Sequence, residues 1–551
     1  MKKHLLLLIL TLLPLVASAH DIEVQNGDGK TIYYNYTNNG TELEVTYQGD
    51  SHFYSDRYTG NVVIPEEVTY MNSTFKVTSI GKWAFEDCES LTSVTIPSSV
   101  TSIEDRVFLG CTGLTAITIS EGVTSIGEDA FCNCTGLTAV TIPSTVISIG
   151  EDAFRGCTGL TAVTISEGIT SIGRYAFAGC TSLTSVTIPS SVTFIGNWAF
   201  KDCTSLTSVT ISEGVTSIGY SAFAGCTSLT SVIIPSSVTS IGDWAFEGCT
   251  GLIAVTIYEG IANIEIGTFA GCTSLTSVTI PSSVTAIGDW AFRDCTGLTS
   301  VTIPPSVTSI GVSAFEDCTG LTSVILSEGL ISIGTIAFYN CTSLTSVTIP
   351  KSVTSIGVGA FADCTGLTTI SVAQGNPTFD SRNNCNAIIE TTSNKLIVGC
   401  KNSTIPSSVT SIEIGAFYGC TGMTSVTIPN SVKSIGEGAF YEADISTVYS
   451  LIEEPFAIEG KTSINSTFSL NTFNNATLYV PMGTIDKYKA TEGWQDFENI
   501  VEFDASAVQD VKAAPQSNSY YTIDGKRTAA PSKGINIVRN SKGETRKVLV
   551  K

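Results

Sequence analysis

The sequence offers few side chains that could act as a general base. Its three histidines are His4, His20 and His52, and none lies in the long repeated part of the chain. Nucleophilic catalysis by serine or cysteine usually needs a histidine beside the nucleophile. Carboxylate pairs such as Glu151 and Asp152 occupy positions whose residue type varies between repeats, which is typical of a solvated face. The sequence therefore predicts no catalytic residues and no enzyme.

Cysteine is the second residue type that could carry chemistry, with 17 copies that recur once per repeat, as at Cys88, Cys111 and Cys134. A zinc site needs four ligands that converge on a tetrahedron. Stacked repeats instead line up equivalent side chains in a row, at a spacing of about 4.8 Å that exceeds the usual Cβ distance of a disulfide. Free cysteine packs as a small hydrophobe with a weak S–H donor. We therefore expect buried thiols, no metal and no cofactor.

A fixed internal period organises the chain. The pattern S-I-G-x-x-A-F-x-x-C-T-x-L-T-x-V-T-I returns every 23 residues, which lies inside the range of roughly 20 to 29 residues typical of leucine-rich repeats. A phenylalanine marks each copy at Phe85, Phe108, Phe131, Phe154, Phe177, Phe200, Phe223, Phe246, Phe269, Phe292, Phe315, Phe338 and Phe361.

Each repeat predicts one coil of a solenoid. The alternation of Leu91, Val94 and Ile96 indicates a half-buried strand, which Pro97 ends. Glycine, as at Gly150, supplies a permissive backbone at the next corner, and the segment around the phenylalanine forms the outer wall. The predicted fold is a β-rich leucine-rich-repeat solenoid of about fifteen stacked coils with one short parallel strand each.

Composition and pattern divide the chain into six segments. A basic, apolar and small-residue order predicts a cleaved signal peptide, and a hairpin pattern predicts a cap on the first coil. The segments are 1–19, the signal peptide; 20–77, an N-terminal β cap; 78–445, the solenoid, with a hairpin insertion at about 380–401; 446–505, a C-terminal cap; 506–519, a linker; and 520–551, a small β-patterned tail.

The turn after each strand alternates between two types, which gives a doubled unit of two repeats. One type carries proline, at Pro97, Pro143, Pro189, Pro235 and Pro281, and the other carries Glu-Gly, at Glu121, Glu167, Glu213 and Glu259. The alternation breaks at Pro304, where two proline coils follow each other. This pattern indicates growth by duplication of coil pairs.

The repeat resembles the BspA-like, treponemal-type leucine-rich repeats of bacterial surface proteins over roughly residues 78–445. This resemblance implies an exported, adhesin-like protein that binds host matrix proteins, host receptors or other cells. The tail, with Asp524-Gly525, Gly534 and the run Arg546–Lys551, resembles a type IX secretion sorting domain. That second resemblance implies a protein secreted or held on the outer cell surface.

Charge limits the choice of partner. The formal net charge is −22, although only 14% of residues are charged, and this sign repels phosphate backbones and anionic lipid. Beyond the signal peptide no apolar run is long enough to cross a membrane. We expect an extracellular protein ligand and no nucleic acid. A glycan-binding module and a passive surface spacer are the alternatives.

The first candidate binding surface is the solvent side of the predicted strands. Side chains alternate across a strand, so the residues between the buried Leu, Val and Ile should form an uncharged hydroxyl surface on an inner sheet. The alternative is that threonine serves there only as a soluble strand former. The candidate residues are Ser185, Thr187, Ser208, Thr210, Ser277, Thr279, Ser300, Thr302, Ser346 and Thr348.

The second candidate is an aromatic stripe two residues before the ladder phenylalanine. Such rings could stack on sugars or anchor a protein partner, or they could simply cover the outer wall. The stripe comprises Trp83, Tyr175, Trp198, Trp244 and Trp290.

The interruption of the repeat at about 380–401 predicts a β-hairpin, with strands Asn386–Glu390 and Lys395–Val398. Cys385 and Cys400 are symmetric about its turn. If they face each other across the strands, they could form the one disulfide of the chain.

Overall fold

The computed structural model describes residues 20–27, 29–48 and 58–504, together with the backbone of four strands between 519 and 550. The predicted signal peptide, almost all of the predicted linker, His4 and His52 lie outside the described residues. The chain divides into two compact units, Met1–Leu330 and Ile331–Lys551. The fold is a parallel β-solenoid of about 18 turns with coils of about 23 residues, as the repeat predicts.

The predicted strand of each coil forms, and in the first unit these strands build a parallel inner sheet. Burial alternates along them, so that Val186 and Ile188 are buried while Ser185 and Thr187 are exposed. The strands are Gly60–Val63, Leu91–Ile96, Ala116–Ile119, Ala139–Ile142, Ala162–Ile165, Ser185–Ile188, Ser208–Ile211, Ser231–Ile234, Ala254–Ile257, Ser277–Val278, Ser300–Ile303 and Ser323–Leu326.

Each coil also has a second strand that the sequence analysis did not assign. Two residues, usually Ser-Ile, pair in parallel with the equivalent residues of the next coil, as Ser148 and Ile149 do with Ser171 and Ile172. The strands of this second sheet are Ser102–Ile103, Ser125–Ile126, Ser148–Ile149, Ser171–Ile172, Phe194–Ile195, Ser217–Ile218, Ser240–Ile241, Asn263–Ile264, Ala286–Ile287 and Ser309–Ile310.

The outer wall is a run of turns that also bonds coil to coil. The amides of Asp152, Phe154 and Gly156 donate to carbonyls of the following coil at 2.7 to 2.8 Å. Asp152 and Gly156 take left-handed φ angles of 55° and 68°. Inter-coil hydrogen bonds thus satisfy backbone groups on every side of the coil.

The N-terminal hairpin forms as predicted. Thr31–Thr37 pairs antiparallel with Glu42–Thr46, and the latter pairs in parallel with Ser73–Ile80, which leads into the second sheet. The hairpin is flanked by the strands Ile22–Gln25 and Glu67–Tyr70 and contains the 3₁₀ turn Asn38–Gly40.

The second unit repeats the same coil and then changes. Its inner strands are Ser346–Ile349, Thr369–Val372, Ser425–Ile428, Thr447–Ser450, Thr477–Pro481 and Asn499–Phe503. Its other strands are Ser332–Ile333, Ser355–Ile356, Phe379–Asp380, Ile388–Glu390, Lys395–Val398, Ser411–Ile412 and Ser434–Ile435. Toward its end come the helices Leu470–Asn475 and Ile485–Ala490 and the 3₁₀ turn Trp494–Asp496.

The tail forms an antiparallel sheet of four strands, as its pattern predicts. They are Ser519–Thr522, Arg527–Thr528, Gly534–Arg539 and Thr545–Val550.

A ladder of buried phenylalanine rings forms the core of the first unit. Successive ring centroids from Phe85 to Phe315 lie 4.9 to 5.6 Å apart. Tyr58 covers the first ring at 4.4 Å, and its hydroxyl donates to the Thr46 carbonyl at 2.7 Å. The ladder therefore has a polar-tipped aromatic residue at its N-terminal end.

The corner glycines are needed for a reason different from the predicted one. Neither Gly150 nor Gly173 has a positive φ, so the backbone there needs no special conformational freedom. A Cβ on Gly150 would instead lie 2.5 Å from the Gly127 carbonyl oxygen, and one on Gly173 would lie 2.4 Å from that of Gly150. Close stacking of the coil backbones is the constraint that selects glycine.

The doubled repeat has a structural basis, because the Glu-Gly turn clasps the proline-type turn of the next coil. Glu259 accepts from the Ser282 amide at 3.0 Å, from its hydroxyl at 2.8 Å and from the Ser283 amide at 2.7 Å. Where two proline coils follow each other, this clasp is missing, and the buried hydroxyl of Ser306 has no partner among the described residues.

We predict that Phe200→Ala is far more destabilising than Asp243→Ala. Phe200 stacks on Phe177 at 5.2 Å and on Phe223 at 5.3 Å, and opening a cavity of this kind costs about 3 to 5 kcal/mol. Loss of a surface carboxylate should stay within about 0.5 kcal/mol. Urea unfolding followed by circular dichroism measures both, and equal shifts in midpoint would contradict the ladder.

We also predict that Glu259→Gln makes stability less sensitive to acid. The hydrogen bonds from Ser282 lower the pKa of Glu259, so the folded state favours the ionised form. This stabilisation is present above the ordinary glutamate pKa and disappears as the pH falls through the lowered value. The variant should therefore melt below the parent at pH 7 and converge with it in acid.

The matched control is Glu247→Gln, which removes an exposed carboxylate that accepts no hydrogen bond from the rest of the described chain. It should leave the pH profile of melting unchanged. A parallel offset between the Glu259→Gln variant and the parent at every pH would contradict the clasp.

Candidate functional site

The predicted hydroxyl surface is present on the inner sheet. Ser185 lies beside Ser208 and Thr187 beside Thr210 in the parallel register, so equivalent hydroxyls form columns that run from coil to coil. All ten predicted residues are exposed. The inner strands of the first unit contain no charged residue. The sheet thus presents hydroxyls in two columns on an uncharged face.

These hydroxyls are available to a ligand, unlike those of the threonine just before each strand. The Thr184 hydroxyl donates to the Thr161 carbonyl at 3.2 Å, and that of Thr207 donates to Thr184 at 3.0 Å. Among the described residues, the hydroxyls of Ser185 and Thr187 make no hydrogen bond to protein, and the same holds for the other predicted residues except Thr348. Thr348 lies 3.1 Å from Ser371.

Three apolar side chains interrupt the hydroxyl surface and were missed by the sequence analysis. Ile233 replaces the strand threonine and is 54% exposed, and on the next coil Ile253 and Tyr258 are 50% and 54% exposed. Ile233 lies opposite Thr256, and the alternation of burial puts Tyr258 on the same side. We call these three residues the Ile233 patch. The sequence signal was a departure from Ser or Thr at an otherwise regular repeat position.

The aromatic stripe occupies a position whose backbone is left-handed in every coil that carries it. The φ angles are 60° at Trp83, 52° at Tyr175, 55° at Trp198, 59° at Trp244 and 55° at Trp290. Gly267 takes the same conformation at 59°. A side chain in this region costs roughly 1 to 2 kcal/mol relative to glycine. The aromatic residues are therefore not selected by the backbone.

The stripe is two clusters rather than a continuous row. Tyr175 stacks on Trp198 at 4.8 Å, and Trp198 meets Tyr220 edge-on at 4.9 Å. Arg174 lies over both Tyr175 and Trp198 at 4.9 Å. Most ring faces in this cluster contact other protein groups, which leaves little free face for a sugar.

The other cluster joins Trp244 and Trp290, whose ring centroids are 6.1 Å apart. Between them lies Gly267, where a Cβ would approach the Trp244 ring to 2.1 Å. Trp83 has no aromatic neighbour of the stripe on the next coil, where Arg106 holds the equivalent position. All five predicted rings are half-buried.

The cysteine ladder has a structural role in hydrogen bonding. The thiol of Cys203 donates to the Phe177 carbonyl at 3.2 Å, and the equivalent bond recurs along the solenoid at 2.9 to 3.3 Å. Burial raises the pKa of Cys203 to about 12. No group of three or more His, Cys, Asp and Glu residues in the described chain is arranged to hold a metal ion.

The hairpin at the interruption forms, with strands Ile388–Glu390 and Lys395–Val398, but the predicted disulfide is not present. Cys385 and Cys400 are both free and buried. A bulge shifts the register between Ile388 and Ile389. The Asn386 amide donates to Cys400 Sγ at 3.2 Å, and the Cys385 thiol turns to the Ala387 carbonyl at 3.6 Å.

No helix within the described residues is long and apolar enough to cross a bilayer. His20 is the one histidine in the described chain, and its ring packs on Tyr33 at 4.8 Å.

The comparisons with known proteins agree with the coil geometry. The model of the BspA type leucine-rich repeat region matches residues 46–184, 170–299, 290–395 and 389–488. The chain belongs to this family. BspA-type proteins are typically found at the cell surface, and a leucine-rich-repeat solenoid is typically a non-enzymatic scaffold. No curated protein matches the chain.

Solved structures give the same fold. A leucine-rich repeat protein from Bacteroides ovatus is 27% identical, with a TM-score of 0.53, over 86% of this chain and 98% of that protein. A leucine rich cell surface protein from Faecalibacterium prausnitzii is 31% identical, with a TM-score of 0.33, over 56% of this chain and 95% of that protein.

We predict that the thiols of this BspA-type protein stay unreactive until it unfolds. Burial raises the pKa of Cys203 to about 12 and that of Cys385 to about 11, so almost no thiolate forms at pH 8. Alkylation by iodoacetamide, followed by mass spectrometry of a nonreduced digest, should find these thiols unmodified in the native protein and modified in urea. A Cys385–Cys400 crosslinked peptide would contradict the free thiols.

Proposed function

We propose that this BspA-type protein is an exported cell-surface binding protein, an adhesin, that contacts an extracellular protein through its inner sheet. The observation that carries the proposal is an uncharged face of free hydroxyls with an exposed apolar patch within it. The partner would be a matrix protein, a receptor or a protein on another cell.

The chemistry of the face suits a protein ligand. Serine and threonine side chains lose little conformational entropy on binding, and each hydroxyl can both donate and accept. Apolar and aromatic side chains supply most of the energy of protein interfaces, and the Ile233 patch offers such an anchor. Because the inner strands of the first unit carry no charge, binding through this face should depend little on salt.

A glycan-binding module is the second candidate function, and the half-buried aromatic stripe supports it. Its rings could stack on sugars, but the contacts of Trp198 with Tyr175 and Tyr220 occupy faces that a sugar would need. A passive spacer is the third reading, in which exposed threonine only favours strand formation.

The proposed export rests on the predicted signal peptide at 1–19 and on the tail at 520–551. The tail residues resemble a type IX secretion sorting domain, and the four antiparallel strands there are consistent with a small separate β domain. Secretion to the outer surface or the medium is part of the proposal.

The test is binding of the chain without its signal peptide to a panel of matrix proteins and glycans. One variant carries lysine at Thr187, Thr210, Thr279 and Thr302, and another carries serine at Trp198, Trp244 and Trp290, since Ser221 holds that position in a neighbouring coil. Loss of protein binding only in the lysine variant supports the sheet face, provided circular dichroism shows an intact solenoid. Loss only in the serine variant would overturn it in favour of the stripe.

We further predict that Ile233→Thr combined with Tyr258→Ser weakens protein binding by roughly tenfold or more, the size expected for a hot spot. Both replacements are residues that this chain uses at the same positions in other coils, so the melting temperature should not fall. Ile325→Thr is the matched control, because Ile325 is exposed in the same column outside the patch. Equal affinity of the parent, the double variant and the control would contradict the patch.

A further inference from the structure

A shallow groove of about 380 Å³ runs beside the second sheet in the first unit. Its floor is formed by Ser217, Ser240 and the glycines at their corners, and its walls include Phe194, Tyr220 and the carboxylates of Asp243 and Glu265. Aromatic rings and acidic groups thus line one concavity on the outside of a regular array.

The two aromatic walls depart from the repeat. Phe194 stands where the neighbouring strands have Ser171 and Ser217, and it is 41% exposed, while Tyr220 is 38% exposed. The Asn197 side chain accepts from the Tyr220 amide at 2.8 Å, and the Tyr220 ring meets Trp198 edge-on at 4.9 Å. These contacts hold the tyrosine in place while leaving part of its ring open.

The two carboxylates lack a cation. Asp243 and Glu265 are half-buried, and within the described chain neither forms an ion pair with a lysine, arginine or histidine. Glu265 accepts one hydrogen bond, from the Asn263 amide at 3.3 Å, and it stands where Gly219 and Gly242 hold the corner in the preceding coils. Partly desolvated carboxylates beside open aromatic rings favour a cationic ligand.

We propose that this groove binds a short extended segment of a partner protein that presents an aromatic or apolar side chain followed by lysine or arginine. From Phe194 to Glu265 the groove crosses three coil steps, on the order of 14 Å, which about four extended residues span. The apolar side chain lies against Phe194 and Tyr220, and the basic side chain reaches Asp243 and Glu265. This inference rests on the proposed protein-binding function but concerns a surface separate from the inner sheet.

The experiment measures fluorescence anisotropy of labelled, end-capped peptides with the chain without its signal peptide, at low salt. The peptides are Phe-Thr-Lys-Thr-Lys, its glutamine counterpart Phe-Thr-Gln-Thr-Gln and its alanine counterpart Ala-Thr-Lys-Thr-Lys. A labelled neutral glucose hexamer represents a glycan. The chain itself supplies the aromatic variant, Phe194→Ser with Tyr220→Asn, since Ser217 and Asn197 hold those positions one coil away. Its melting temperature should match the parent.

We expect the lysine peptide to bind the parent roughly tenfold more tightly than either counterpart, the ratio that about 1.4 kcal/mol of interaction gives. Asp243→Asn with Glu265→Gln should weaken it by a similar factor, and added salt should remove the difference. The control Asp202→Asn with Glu247→Gln removes the same charge outside the groove and should bind like the parent.

Absence of saturable binding by the lysine peptide, or unchanged binding in the Asp243→Asn and Glu265→Gln variant, overturns the proposal. Binding of the glucose hexamer that Phe194→Ser and Tyr220→Asn abolish, without an effect on the peptide, assigns the groove to glycan instead. Failure here leaves Ile233-dependent protein binding intact, whereas failure of the inner-sheet variants leaves the groove result unchanged, so the two proposals are separable.

Discussion

The spacing between stacked coils is the constraint on which the rest of the structure depends. Neighbouring coils lie one strand spacing apart, about 4.8 Å, so every inward-facing residue must pack on its own copy at that distance. Phenylalanine satisfies this by stacking, with rings 4.9 to 5.6 Å apart. Glycine satisfies it at the corners, where Gly150 and Gly173 leave no room for a Cβ. The repeat conserves its length because any insertion would break these ladders.

The same spacing settles how buried polar groups are satisfied. The Cys203 thiol reaches the carbonyl of Phe177 on the preceding coil, and the Thr184 hydroxyl reaches that of Thr161. Glu259 clasps Ser282 on the next coil. Where the alternation of turn types fails, Ser306 keeps a buried hydroxyl without a described partner. A buried hydroxyl without a partner costs about 1 to 3 kcal/mol, so the alternation carries stability as well as ancestry.

Because the ladders use the groups that face another coil, binding is left to the groups that do not. On the inner sheet these are the strand hydroxyls and the Ile233 patch, and beside the second sheet they are the walls of the Phe194 groove. The regular residues supply a broad, uniform surface, whereas Ile233, Tyr258, Phe194 and Glu265 depart from the repeat. Such departures mark individual places on an array that otherwise offers none.

The sequence by itself determined the coil, its strand, the exposed side of that strand and the hairpins, because periodicity of 2 within a strand and 23 along the chain dictates which side chains are buried. Only the tertiary structure decided what depends on contacts between coils. It showed a second strand at Ser-Ile, a steric reason for Gly150, and free thiols at Cys385 and Cys400, since a bulge no pattern announces shifts that hairpin. It also brought Phe194 beside Glu265, which are three coils apart in sequence and meet only because the coils stack.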